Sequence, residues 1–223
     1  MRLWFGLALL TGPLAAQSVR VRLEGRVPAA AMAIVDSLVQ QATQEDLPTE
    51  PLVQKALEGG AKHVSAGRIV AAVQLRLVQM RDARTLLVRA GHGPFTAAEV
   101  MAVSGTLKRG VPGPVVERLV VALPNESRGS ALHAEADLVA HGFDPDSSAG
   151  LLVEATRRSL RGGRLLDVSA AVLHELQRGH TRPEALALVR LQLPNVPPAP
   201  KPPKASVAGA RRPGASSGAA PQP

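Results

Sequence analysis

The chain has no cysteine and no tyrosine among its 223 residues, and it has only three phenylalanines and one tryptophan. The lack of cysteine excludes disulfides, thiolate metal sites, cysteine nucleophiles and the lipid-modified cysteine of bacterial lipoproteins. Trp4 and Phe5 lie at the N-terminus, so only Phe95 and Phe143 remain elsewhere. Sugar platforms and grooves for single-stranded nucleic acid depend on aromatic stacking, and neither is expected here.

Several short catalytic and nucleotide-binding motifs are also missing. The sequence contains no phosphate-cradling P-loop, no H-E-x-x-H metalloprotease motif and no G-x-G-x-x-G dinucleotide motif. These absences favour a protein that is not an enzyme, and no catalytic or cofactor-binding residue and no cofactor is predicted.

The N-terminal residues 1–16 have the pattern of a secretory signal. Arg2 supplies a positive charge, residues 3–14 form an apolar run, and Ala16 is a small residue at a suitable cleavage point. The apolar run is shorter than the roughly 20 residues that cross a bilayer. We therefore expect cleavage near Ala16, a periplasmic or secreted bacterial protein, and no transmembrane span in the mature chain; a retained anchor is the alternative.

The formal net charge of +8 lies largely in the C-terminal tail. Residues 194–223 are rich in proline and alanine and contain four cations and no acid, which leaves a net charge of +3 on residues 17–193. Such a composition cannot bury enough apolar surface to fold, so the tail is predicted to be disordered. It suits contact with anionic polymers or a membrane surface, whereas the weak charge of the body argues against nucleic acid.

Between these ends, apolar residues recur at helical spacing. The pattern predicts nine short helices between residues 29 and 193, with Thr96 and Glu99 forming one capping box and Thr181 and Glu184 another. The pair Gly59-Gly60 weakens its helix or permits close approach of a neighbour. The fold class is all-α, an irregular repeat or bundle of helical hairpins.

A four-residue formula recurs where these helices turn. Its first residue is a cation or histidine, and its second is glycine or histidine, at the position where a left-handed backbone closes a helix. Its third residue varies, and its fourth can start the next helix. The intervals are too irregular for a named solenoid, so both a true duplication and reuse of good caps stay open. The four copies are Lys62-His63-Val64-Ser65, Arg109-Gly110-Val111-Pro112, His141-Gly142-Phe143-Asp144 and Arg178-Gly179-His180-Thr181.

Residues 17–28 show a different periodicity. Val19, Val21 and Leu23 alternate with Arg20 and Arg22, and this period of two is typical of a strand. No partner strand is evident, so we expect an extended arm. The predicted organisation is a signal at 1–16, the arm at 17–28, a helical domain at 29–193 and the tail at 194–223.

One set of side chains is a candidate metal site. His133, Asp137 and His141 are spaced four residues apart and form a ladder on one helix face, and imidazole and carboxylate suit zinc. Because the ladder climbs about 12 Å, all three cannot bind one ion. A solvated face is the alternative.

Three functions are compatible with these features. The leading hypothesis is an exported, non-enzymatic helical-repeat protein that binds a protein partner in the bacterial cell envelope. The second is a small metal-dependent hydrolase of the envelope that uses His133 or His141. The third is a structural protein held to anionic envelope polymer by its basic tail.

Overall fold

The computed structural model describes residues 14–91 and 93–196, and this part of the chain is all-helical, as the sequence predicts. Its ten α-helices are followed by a 3-10 turn at Leu193–Asn195. The helices are α1 (Leu14–Leu23), α2 (Ala29–Gln44), α3 (Glu50–Ala61), α4 (Ala66–Arg89), α5 (Ala97–Lys108), α6 (Gly113–Ala122), α7 (Asn125–Ala140), α8 (Pro145–Arg157), α9 (Arg164–Gln177) and α10 (Arg182–Gln192). Among them, none has the length and hydropathy that a membrane crossing requires.

The helices pack mainly against neighbours one and two positions away along the chain. Two of them are central: α4 packs against α2, α3, α5 and α6, and α7 packs against α5, α6, α8 and α9. The core is made largely of leucine, valine and alanine side chains, so the helices approach closely without aromatic filling. Because α5 packs on α7 and α7 packs on α9, these three helices form a row that makes one layer of the body.

All four predicted corners reverse the chain through a left-handed residue at their second position. The φ angles are +52° at His63, +90° at Gly110, +80° at Gly142 and +97° at Gly179. At each corner two backbone N–H groups return to the helix in the 6→1 and 5→2 pattern of a Schellman motif, as when Phe143 donates to Leu138 and Gly142 donates to Val139. The repeated formula in the sequence is thus a repeated helix C-cap.

Two further corners of the same kind have no glycine. Asp46 and Ser159 adopt φ of +51° and +68°, and Leu47 and Leu160 follow them as buried third residues. Both corners make the same pair of returning hydrogen bonds. Aspartate tolerates a left-handed backbone better than most residues do, whereas serine is less common there.

The predicted helix starts are mostly confirmed. Both capping boxes form, and Asp144 accepts the backbone N–H of Ser147 at 2.8 Å. Ser65 is an exception: it lies at the N-cap position of α4, but its side chain makes no capping hydrogen bond.

The extended arm was expected at residues 17–28, and this is wrong over residues 17–23, which belong to α1 (Leu14–Leu23). Val19 and Leu23 are four residues apart, so a helix places both on one face, where α2 and α3 bury them. Val21, the middle member of the apparent alternation, is 71% exposed. Two apolar residues four apart satisfy both periodicities, and the packing of neighbouring helices selects the helical one.

The boundaries of the ordered body also differ from the prediction at its C-terminal end. Leu193–Asn195 form the 3-10 turn, and Val196 is buried while its carbonyl oxygen accepts a hydrogen bond from Arg164. The helical body therefore extends three residues into the predicted tail. Residues 1–13 of the predicted signal and residues 197–223 of the tail lie outside the described residues.

The glycine pair in α3 permits close approach, which was one of the two predicted roles. A Cβ at Gly60 would overlap the carbonyl oxygen of Arg26 in the turn between α1 and α2, and a Cβ at Gly59 would lie 2.7 Å from Cγ1 of Ile69 in α4. The last turns of α3 are thus in contact with backbone on one side and a core side chain on the other.

Candidate binding groove

A groove lies between α3 and α5, with α4 as its floor. Its volume is about 910 Å³. We call it the α4 groove. Its lining residues are Pro48, Glu50, Pro51, Gln54, Lys55, Glu58, Ala72, Leu75, Arg76, Gln79, Ala97, Ala98, Met101 and Lys108.

The groove exists because α3 and α5 both pack on α4 but share no extended contact with each other. At 24 residues, α4 is about 36 Å long and is the longest described helix, so it can support both. Ala72, Leu75, Arg76 and Gln79 are spaced i, i+3, i+4 and i+7, which places them on one stripe along the floor. The core-facing stripe of α4, which includes Val73, Leu77 and Met80, lies beside it, roughly 100° further round the helix.

Apolar surface dominates the floor and one wall. Leu75 is 59% exposed although it lies within the groove, and Met101 of α5 is only partly buried. Single exposed leucines are ordinary on protein surfaces, but here Leu75 lies in a concave site among alanine, proline and methionine side chains. A partner with apolar side chains could bury this surface.

Both carboxylates of the groove are already neutralised. Arg22 donates to both oxygens of Glu50 at 2.7 Å, and this pairing, with help from Gln54, lowers the pKa of Glu50 to about 2. Lys55 and Lys62 donate to Glu58 at 2.8 and 2.5 Å and lower the pKa of that carboxyl to about 2 as well. Neither group is poised for proton transfer near neutral pH.

Arg76 is the one half-buried cation of the floor, and its guanidinium contacts only uncharged atoms among the described residues. It lies 3.4 Å from Oε1 of Gln79, 3.4 Å from Oγ of Ser104 and 3.6 Å from Sδ of Met101. Burial lowers the pKa of Arg76 from its ordinary value. Lys108, at the edge of the groove, likewise has no carboxylate within 4.0 Å in the described part of the chain.

A second hollow of about 590 Å³ lies between the corners at Gly142 and Gly179. Its polar groups are engaged within the protein: Arg182 donates to the carbonyl oxygen of His141, Asp144 caps α8, and His180 lies 3.4 Å from Glu175. This hollow therefore offers little unsatisfied chemistry to a ligand.

The structure does not gather the predicted metal ligands into one site. His133 and His141 are exposed, Asp137 pairs with Arg109 at 3.0 Å, and Nδ1 of His141 lies 2.8 Å from the Asp137 carbonyl oxygen. No group of three or more metal-ligating side chains occurs among the described residues. His133 and His141 therefore lie at the protein surface on α7, with Asp137 in an ion pair between them.

Zinc binding at this face can be tested directly. We expect isothermal titration of the full chain with Zn²⁺ to give no saturable heat, because Asp137 is held by Arg109 and no third ligand converges. The control is a His133→Ala/His141→Ala double variant, which should give the same trace. Saturable heat in the parent chain that the double variant loses would establish a metal site.

The chain was compared with protein-family models, with curated proteins and with solved structures, and nothing matches in any of the three. The function is therefore inferred from the α4 groove itself. Sequence reasoning did not identify the groove, because it assigned α4 only its core stripe. The available signal was a leucine beside an arginine, Leu75 and Arg76, outside the core stripe of that helix.

Proposed function

We propose that this protein is a non-enzymatic helical module that binds another protein through the α4 groove. The observation that carries the proposal is the open, mostly apolar groove over α4, in which Leu75 is 59% exposed. Concave apolar surfaces with a few placed polar groups are typical binding sites. The floor is formed by a rigid helix supported on its other sides by α2 and α6, which suits a preformed docking surface.

The polar residues of the groove favour binding over catalysis. Glu50 and Glu58 are paired with cations and stay ionised at any physiological pH. Arg76 offers a positive charge but has no nucleophile or base beside it in the lining. Such a site can hold and orient a partner.

Placement in the bacterial cell envelope is part of the same proposal. It is supported by the signal-like composition of residues 1–16 and by the basic, proline-rich residues 197–223, which suit an exported protein near anionic polymer. A periplasmic or secreted location would present the groove to envelope proteins.

Leu75→Glu is the variant that tests the proposal. We expect it to lower affinity for the partner at least tenfold, since it places a charge in an apolar contact, while leaving the fold unchanged because Leu75 is exposed. The full chain would be immobilised and exposed to a detergent extract of envelopes from the organism that encodes it. Retained proteins would be identified by mass spectrometry and their binding remeasured with purified material.

Leu191→Glu is the matched control, because Leu191 is 80% exposed on α10, outside the groove. A partner retained by the parent chain and by Leu191→Glu but lost with Leu75→Glu supports the proposal. Retention that both variants leave unchanged, or no specific retention by the parent chain, contradicts it.

A further inference from the structure

We infer that the α4 groove takes an amphipathic helical segment of the partner, with a carboxylate on that segment pairing with Arg76. The inference rests on the proposed function, that the groove binds protein, and adds the chemistry of the partner. Three features of the described residues carry it: the shape of the groove, the state of its charges and the position of the chain's own C-terminal end.

The shape of the groove matches a helix. Elsewhere in the same layer, α5 packs on α7 and α7 packs on α9, so helices follow one another in direct contact. Between α3 and α5 the row is interrupted, and the exposed stripe of α4 forms the floor instead. A helix laid over Ala72, Leu75 and Gln79 would contact helices on three sides. This is the helix-in-groove mode, in which apolar side chains at i, i+3, i+4 and i+7 anchor the segment.

The charged residues of the groove favour a carboxylate on the partner segment. Arg76 is partly desolvated, and its guanidinium has only neutral contacts at 3.4 Å or more from the described residues. A partly buried cation gains strongly from a charge-assisted bond, and guanidinium can bind a carboxylate through two N–H groups.

The groove's own acids would not repel such a segment. Glu50 is held by Arg22, and Glu58 is held by Lys55 and Lys62. Lys108, at the edge of the groove, adds a second cation. The positive charge available to a partner therefore exceeds the negative.

The chain's own C-terminal tail is a poor occupant. The described residues end at Val196, whose carbonyl oxygen accepts a hydrogen bond from Arg164 of α9. Among the described helices, α9 and α10 make no extended contact with α3, α4 or α5. Residues 197–223 carry four cations and no acid. Arg76 and Lys108 would repel them, whereas they would attract an acidic segment.

The test is selection from a phage-displayed library of random 16-residue peptides against the full chain. We expect selected peptides to share apolar residues at helical spacing and one aspartate or glutamate at a fixed position among them. A synthetic, fluorescein-labelled copy of a selected peptide is then measured by fluorescence anisotropy. Arg76→Gln should weaken its binding at least tenfold, and replacing the peptide's acid by its amide should do the same.

Combining Arg76→Gln with the amide-substituted peptide should weaken binding little more than either change alone, because each removes the same ion pair. Arg68→Gln is the matched control: Arg68 is an exposed arginine on the same helix, outside the groove, and its variant should change the dissociation constant less than twofold. Arg76→Lys keeps the charge and should retain more affinity than Arg76→Gln. Circular dichroism of each variant shows whether the fold is intact.

Selected peptides without an acid, additive effects of the two changes, or equal effects of Arg68→Gln and Arg76→Gln overturn the inference. If peptides bind and depend on Leu75 but not on Arg76, the inference fails while the proposed function stands. If no selected peptide depends on Leu75, both fail.

Discussion

Glu135→Gln is expected to raise the free energy of unfolding at pH 8 by on the order of 3 kcal/mol, from about 1.4 kcal/mol for each unit of pKa shift. It is also expected to flatten the dependence of stability on pH between 5 and 8. The reason is that Glu135 is fully buried in α7 and forms no ion pair with any described residue, since the nearby Arg118 pairs with Asp146. A buried unpaired carboxylate is among the most costly groups in a folded protein.

The surroundings of Glu135 fit the protonated acid better than the anion. The Ser148 hydroxyl lies 2.8 Å from Oε1 of Glu135 and 2.9 Å from the Asp144 carbonyl oxygen. The other carboxyl oxygen of Glu135, Oε2, has no hydrogen-bond partner among the described residues. A protonated Glu135 can donate a hydrogen bond to the Ser148 hydroxyl. That hydroxyl can then donate its own hydrogen bond to the backbone carbonyl oxygen of Asp144. The anion depends on the Ser148 proton alone.

Burial is the main cause that raises the pKa of Glu135 from 4.5 to about 7. Ser148 and the more distant Arg118 oppose this rise, whereas Asp144 and Asp146 add to it. Between pH 4.5 and 7, Glu135 is protonated to a greater extent in the folded chain than in the unfolded chain. Stability therefore falls as pH rises through this window and the loss is complete above about pH 7.

Urea denaturation followed by circular dichroism at pH 5 and pH 8 measures both effects. Glu117→Gln is the control, since Glu117 is a half-exposed carboxylate on α6 whose ion pair with Arg89 is 3.9 Å long. It should change stability by less than about 0.5 kcal/mol at either pH. A parent chain that is no less stable at pH 8 than at pH 5 would show that Glu135 is not held in this way.

Gly60→Ala is expected to destabilise the protein by at least about 2 kcal/mol. Its Cβ would overlap the carbonyl oxygen of Arg26 and lie 3.0 Å from the carbonyl carbon. Both atoms belong to backbone and cannot rotate away, so either the turn between α1 and α2 or the end of α3 must shift. The loss outweighs the gain of up to about 1 kcal/mol that alanine brings to a helix.

Gly150→Ala provides the opposite result in the same experiment. Gly150 lies inside α8 and its Cβ would meet nothing within 4 Å, so only the helix propensity changes. This variant should be more stable than the parent by about 0.5–1 kcal/mol. If both alanines stabilise the protein, the close contact at Gly60 does not limit the packing of α3.

The corners were predictable because their chemistry is local. A glycine or histidine, followed by an apolar residue and a helix starter, contains most of what a Schellman motif needs. Asp46 and Ser159 were missed since neither is a glycine, although Leu47 and Leu160 fill the same third position.

The groove and the buried acid could not be predicted, because both arise from tertiary packing. Leu75 and Arg76 lie on the side of α4 that its core pattern assigns to solvent, and only the separation of α3 from α5 makes that side concave. Glu135 shares a helix with the exposed His133, and its burial depends on Ser148 of α8. Helical periodicity locates a face, but the neighbouring helices determine whether that face is covered.

Because the helices pack mainly on near neighbours along the chain, a destabilising substitution should affect the nearest helices most. Among the described helices, α1 packs mainly on α2 and α3, and α10 packs mainly on α8, α9 and the 3-10 turn that follows it, so these two helices share no extended contact. Such a molecule behaves like a one-dimensional lattice, in which each unit is coupled to the next by interface energy. A destabilising substitution near Gly60 would weaken the first hairpins, and its effect would decrease along the row. The last helices could then keep their structure while the first hairpins unfold.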